Sequence, residues 1–209
     1  MLQLEWDNLV QWSHTMHLPL NFLKCNVTDF VTKKNLSLSR VSLHDGTFLE
    51  CISSLRFLGV IFTNDLRWNA HVDMIVSKAT KRLFLLRNLR RSNCPEHLML
   101  NCYIAFIRSV LIFGFPSFCN LPKYLFDKLY GVEKRALRII GCSAGISPLS
   151  STSVNACVNL MTSIEQSKDH PLRIMFDQRC FSSTRSSSWL RKPFAKTERF
   201  GKSFIRFCK

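Results

Sequence analysis

The hydrophobic period changes at Trp68, and that change commits the chain to a fold in which a small sheet hands over to helices. Leu55 to Phe62 (LRFLGVIF) is a β-type apolar run that ends at the polar turn Thr63-Asn64-Asp65. From Val72 onward the apolar residues recur at three- and four-residue steps: Val72, Ile75, Val76, Ala79, Leu83, Leu86. That spacing lines one face of an α-helix. Lys78, Lys81, Arg82, Arg87, Arg90 and Arg91 fill its other faces, with Asp73 the only acid among them.

The segments around this junction extend the pattern. Leu2, Trp6, Leu9, Val10 and Met16 predict an opening helix, which Pro19 ends because the residue before proline avoids the α region. Leu23, Cys25 and Val27 alternate with polar residues, as a strand does. Two short apolar runs flank His44-Asp45-Gly46, and Asp-Gly is a strong hairpin signal. Residues 20–67 therefore predict a small, mostly antiparallel sheet. Further helices open near Pro95 and Pro122, since proline suits a first turn, and the latter closes at Gly141. Its stripe is Leu125, Leu129, Val132, Ala136, Leu137 and Ile140. Beyond Gly141 comes a Ser-, Gly- and Pro-rich linker, a helix over Val154 to Gln166, and a poorly ordered tail that interleaves Arg and Lys with Phe. The expected fold is α+β, with boundaries at 1–69, 70–141 and 142–209.

Charge points to a partner. The 209 residues carry 29 Lys+Arg against 14 Asp+Glu, a net +15, which favours a polyanion such as nucleic acid over an acidic protein. The 9 cysteines are scattered, with no Cys-x-x-Cys pair to seed a zinc site, so no metal is expected and the thiols read as reduced and intracellular. Nucleus and cytoplasm are not distinguished. The opening segment does not look like a signal peptide. Leu98 to Phe118 is long and apolar, but Arg108 lies near its middle and Gly114 and Pro116 interrupt it. That leaves roughly 16–18 helical residues, short of the ~20 a membrane span needs.

The ordered set NFLKC, the Asp-Gly hairpin, FLGVIFTNDLRWNAHV, KATKRLFLLR, YIAFIRSVLIFG and LYGVEKRALRIIG resembles the C-terminal third of LINE-type (non-LTR) retrotransposon reverse transcriptases. The likeness spans nearly the whole chain and is strongest from Leu2 to Gly141. It implies that residues 1–69 form a palm edge, that 70–141 form a helical thumb and that 142–209 form a linker and basic tail. It also implies that Lys24 matches a palm lysine near the incoming nucleotide. Phe57, Leu58 and Gly59 match the primer-grip hairpin, and the basic helix matches the thumb that clamps an RNA–DNA template–primer duplex. The catalytic aspartates of the family, which hold Mg²⁺, lie in an Asp-Asp turn and an earlier strand, N-terminal to the part matched here. This chain has no Asp-Asp pair. The resemblance thus implies an RNA-directed DNA polymerase fragment that grips duplex but is not catalytic without its N-terminal portion.

Other readings stay open at this stage: a stand-alone nucleic-acid-binding module, or a non-functional relic of a decayed element. Taken alone, Lys24 reads as a solvated strand lysine, and the basic helix as a solvated face. His71 has no ligand partner at metal-binding spacing and is expected to help start the helix. Glu5 and Asp7 fall on different helix faces and form no acid–base pair.

Overall fold

The computed structural model describes residues 2–30, 40–43, 46–119, 121–141, 147–167 and 169–175. The basic tail beyond 175 lies outside the described residues. The fold is α+β, and the chain divides into two compact units, residues 1–71 and 72–209.

The first unit opens with α1 (Leu2–Thr15). The helix ends where His17 takes φ 55° and the Leu18 N–H reaches back to the Ser13 carbonyl at 2.9 Å. Only Val10 and Ser13 of α1 are buried. Gln3 fastens the helix with its amide: Oε1 accepts from the Ser42 N–H at 2.9 Å, and Nε2 donates to the Ser42 carbonyl at 3.0 Å.

The strand expected across Leu23, Cys25 and Val27 is not formed as such. Phe22–Lys24 is a 3-10 turn, closed by the Lys24 and Cys25 N–H groups on the Asn21 and Phe22 carbonyls. Asn favours such local closure. The strand β1 is only Asn26–Val27. It pairs with β2 (Glu50–Cys51) in parallel, not antiparallel. Parallel pairing needs a long connection, which residues 28–49 supply. Within that connection Ser42 and Phe48 bridge in antiparallel sense, and Gly46 sits at φ 79°, so the hairpin expected around Asp45-Gly46 has its two arms paired.

The run Leu55 to Phe62 is not one strand. It folds back on itself as β3 (Ser54–Phe57) and β4 (Val60–Thr63), in antiparallel register Phe57↔Val60 to Ser54↔Thr63. The turn is Leu58-Gly59, with φ 47° and 87°. Positive φ at both central residues is the type I′ geometry that matches strand twist. Among the described residues the expected small, mostly antiparallel sheet is two separate pairs, and the tight turn lies at Gly59 as well as at Thr63-Asn64-Asp65.

The second unit contains most of α2 (Asn69–Arg91). Its buried apolar residues are Val72, Ile75, Ala79, Leu83 and Leu86, the stripe read from the sequence save for the half-buried Val76. A short turn leads to α3 (Glu96–Cys102), which runs into a π-helical stretch, Tyr103–Arg108, and ends as α4 (Ser109–Ile112). Met99, Tyr103, Ile107 and Leu111 are all buried. Steps of four residues overshoot the 3.6-residue α-turn, and the wider π turns absorb the overshoot. Next comes α5 (Lys123–Ile140), capped by Gly141 at φ 86°, with Leu125, Leu129, Val132, Ala136 and Ile140 buried. Leu137 of the expected stripe is half-buried. The last helix, α6 (Leu149–Gln166), starts inside the segment that reads as linker, because Pro148 sets its first turn. Among the described residues no helix is long and apolar enough to cross a membrane.

Candidate nucleic-acid interface

Contacts fix how α2 sits in its bundle. Asp73 pairs with Lys128 at 2.6 Å, Arg135 Nη2 lies 3.4 Å from Thr80 Oγ1, and Arg90 Nη1 donates to the Ile140 carbonyl at 3.2 Å. Residue numbers rise together along both helices, so α2 and α5 run parallel. On the opposite flank Arg82 Nη1 donates to the Phe106 carbonyl at 2.5 Å in the π-helical stretch. Helix α2 is thus flanked by α5 on one side and by the π-helical stretch on the other, with the buried stripe behind.

This arrangement divides the basic residues. At about 100° per residue, Lys78, Lys81 and Arg82 fall on the flank nearest Phe106, and Arg87 and Arg91 on the flank nearest α5. Arg90 points back in line with Ala79. Arg82 and Arg90 are used inside the protein, one on a π-turn carbonyl and the other closing the C-terminus of α5. Arg90 also lies over Gly141, whose missing side chain leaves its guanidinium 3.5 Å from where a Cβ would be. Cations at a helix C-terminus are favourable there. Lys78, Lys81, Arg87 and Arg91 are exposed and make no ion pair or hydrogen bond among the described residues.

The other candidates lie in the first unit. Lys24 is exposed at the end of its 3-10 turn, not on a strand. Phe57 and Leu58 stand out at the β3–β4 tip, 58% and 79% exposed, beside Gly59. The non-glycine Leu58 holds a left-handed conformation that costs an L-residue free energy, so the tip is shaped at some expense in stability. Behind it, the turn into α2 is held by Asp65, whose Oδ1 lies 2.6 Å from the Thr63 hydroxyl and accepts the Arg67 N–H at 3.0 Å. Those hydrogen bonds, Thr63 foremost, keep the Asp65 carboxyl below its usual range.

His71 is not simply a helix starter. It is buried, and its Nδ1 accepts the Ile61 N–H at 3.2 Å, tying β4 to the first turn of α2. Desolvation holds its pKa below the ordinary histidine value.

Sequence reading missed a buried polar cluster in the second unit. Glu133 of α5 is 1% exposed; its Oε1 accepts the Tyr103 hydroxyl at 3.0 Å and its Oε2 the Leu149 N–H at 3.2 Å. Burial, with the Glu133 charge adding, pushes the Tyr103 phenol far up. Arg108, also buried, donates to the Ser147 carbonyl and to Thr152 Oγ1. The cluster fixes the start of α6 against the π-helical stretch and α5. A signal was present in the sequence: Glu133 and Arg108 both fall on otherwise apolar stripes.

Among the described residues no three His, Cys, Asp or Glu side chains gather as metal ligands would. No protein-family model, characterised protein or solved structure matches this chain.

Proposed function

We propose that this chain is the primer-grip and thumb portion of a LINE-type reverse transcriptase, which holds an RNA–DNA template–primer duplex and does not polymerise alone. The observation that carries the duplex-binding part is the division of charge on α2. Two of its arginines brace the bundle, while Lys78, Lys81, Arg87 and Arg91 stay exposed and unpaired among the described residues. Free cations on a rigid helix suit a phosphate backbone, because each contact releases counterions and sets position without reading sequence.

The reverse-transcriptase part rests on the sequence likeness together with the hairpin. A stiff two-residue hairpin whose tip presents Phe57, Leu58 and Gly59 fits a primer grip, since in-line attack requires close positioning of the primer end. In this reading the half-exposed Leu2, Leu9 and Trp12 of α1 would be covered by further palm structure. Mg²⁺ would be held by that further structure, which supplies the paired carboxylates of a two-metal site.

The test is paired. The chain is expected to bind an RNA–DNA hybrid, and the variant K78A/K81A/R87A/R91A to lose that binding while its helical circular dichroism is unchanged. In a primer-extension assay with Mg²⁺ it is expected to incorporate no dNTP. Hybrid affinity unaffected by the four substitutions overturns the α2 assignment, and templated incorporation by this chain overturns the non-catalytic assignment.

A further inference from the structure

The seam between α2 and the π-helical stretch carries one feature that a duplex clamp does not use. Phe106 is 50% exposed, although it lies in the middle of a strongly apolar helix. The π geometry turns it outward, while Tyr103 and Ile107 beside it are fully buried. Its own carbonyl accepts from Arg82, so the backbone beneath the ring is anchored to α2. Lys78 and Lys81 lie on the same flank of α2 as Arg82, one helical turn or less from it, and Leu85 continues that flank at 38% exposure. Between Asp73 and Asp127 the only acid in the sequence is Glu96.

We infer that this seam binds a single-stranded nucleic acid, with Phe106 as the stacking platform for an unpaired base and Lys78 and Lys81 on the flanking phosphates. The inference rests on the nucleic-acid reading above and deepens it by naming a second kind of strand. A duplex keeps its base faces stacked inside, so an exposed phenyl ring gains little from it. An unpaired base has a free π-face, and stacking on an aromatic is sequence-tolerant. A protein partner fits less well, because lysine is depleted at protein interfaces.

The experiment compares a fluorescently labelled, unstructured polypyrimidine strand with a labelled RNA–DNA hybrid, by anisotropy, on the full chain. Phe106→Ala is expected to weaken single-strand binding by roughly tenfold and to leave hybrid binding within about twofold of wild type. Phe106→Trp is expected to retain single-strand binding, since it keeps a π-face. Lys78→Ala with Lys81→Ala is expected to weaken both. Phe106 is half-exposed, so these variants keep the buried core, and thermal melting checks that they do. If Phe106→Ala weakens both ligands equally or neither, or the hybrid binds while the single strand does not, the inference is overturned and the duplex reading stands. If wild type binds neither ligand, both fall.

Discussion

Removing the Tyr103 hydroxyl tests whether the buried Glu133 cluster holds the second unit together. Tyr103→Phe deletes the 3.0 Å hydrogen bond to Glu133 Oε1 and leaves the ring in place, fully buried. A hydrogen bond to a charged group contributes about 1.5–3 kcal/mol. For a chain of this size about 2 kcal/mol lowers the melting temperature by roughly 4–8 °C. Glu133→Leu goes further. It strands the Tyr103 hydroxyl and the Leu149 N–H, and it takes the carboxylate away from a region that also buries Arg108. Each buried polar group so stranded costs about 1–3 kcal/mol. The double variant Tyr103→Phe/Glu133→Leu should cost less than the sum of the two, by at least about 1 kcal/mol, because the phenol is no longer orphaned. Urea denaturation followed by helical circular dichroism measures all of these. Strict additivity, or a loss under about 0.5 kcal/mol for Tyr103→Phe, would refute the cluster's role.

Other perturbations follow from single contacts. His71 titrates below its ordinary 6.5 in the folded chain because burial disfavours the imidazolium. The unfolded chain therefore takes up the proton first, and the stability that neutral His71 contributes is full above about 6.5 and declines as the pH falls below it. Melting temperatures from pH 7.5 down to 5 should show this loss, and His71→Ala should remove that part of the pH dependence while costing about 1–3 kcal/mol through the stranded Ile61 N–H. Leu58→Asn should stabilise the hairpin by up to about 1 kcal/mol, since Asn tolerates the φ of 47° better than Leu; a lower melting temperature would contradict this. Arg90→Ala should lower stability by about 0.5–1.5 kcal/mol through loss of its bond to the Ile140 carbonyl. Lys78→Ala should change stability by less than about 0.5 kcal/mol, which places the two cations in different roles.

How much the sequence disclosed depended on whether a signal was local. The stripes of α2 and α5 and the Gly141 cap are local periodicities and local turn chemistry, and they were legible to within a residue or two. The β3–β4 hairpin is implied by the family resemblance at Phe57-Leu58-Gly59 and not by local turn chemistry, because its turn is Leu-Gly and leucine does not announce a positive φ. The strand expected at Leu23 gave way to a 3-10 turn because burial rewards no alternation at that residue: Leu23 is 96% exposed. Parallel pairing of β1 with β2 is a long-range choice that no short window records. Six basic residues on α2 are plain in the sequence, but only tertiary packing separates Arg82 and Arg90, which donate to carbonyls, from the four that make no such bond among the described residues. The exposure of Phe106 is not legible in the sequence, where it sits in an apolar run whose π stretch no short window records.

The central claim is that free cations of α2 track a phosphate backbone, and the salt dependence of hybrid binding tests it most directly. Association constants for a labelled RNA–DNA hybrid, measured from low to moderate KCl, should give a log–log slope of about −2 to −4, at roughly −0.9 per phosphate contact. Lys78→Ala with Lys81→Ala should flatten that slope by about 2 units. An affinity that barely changes with salt, or a slope that the two substitutions leave untouched, would contradict the account.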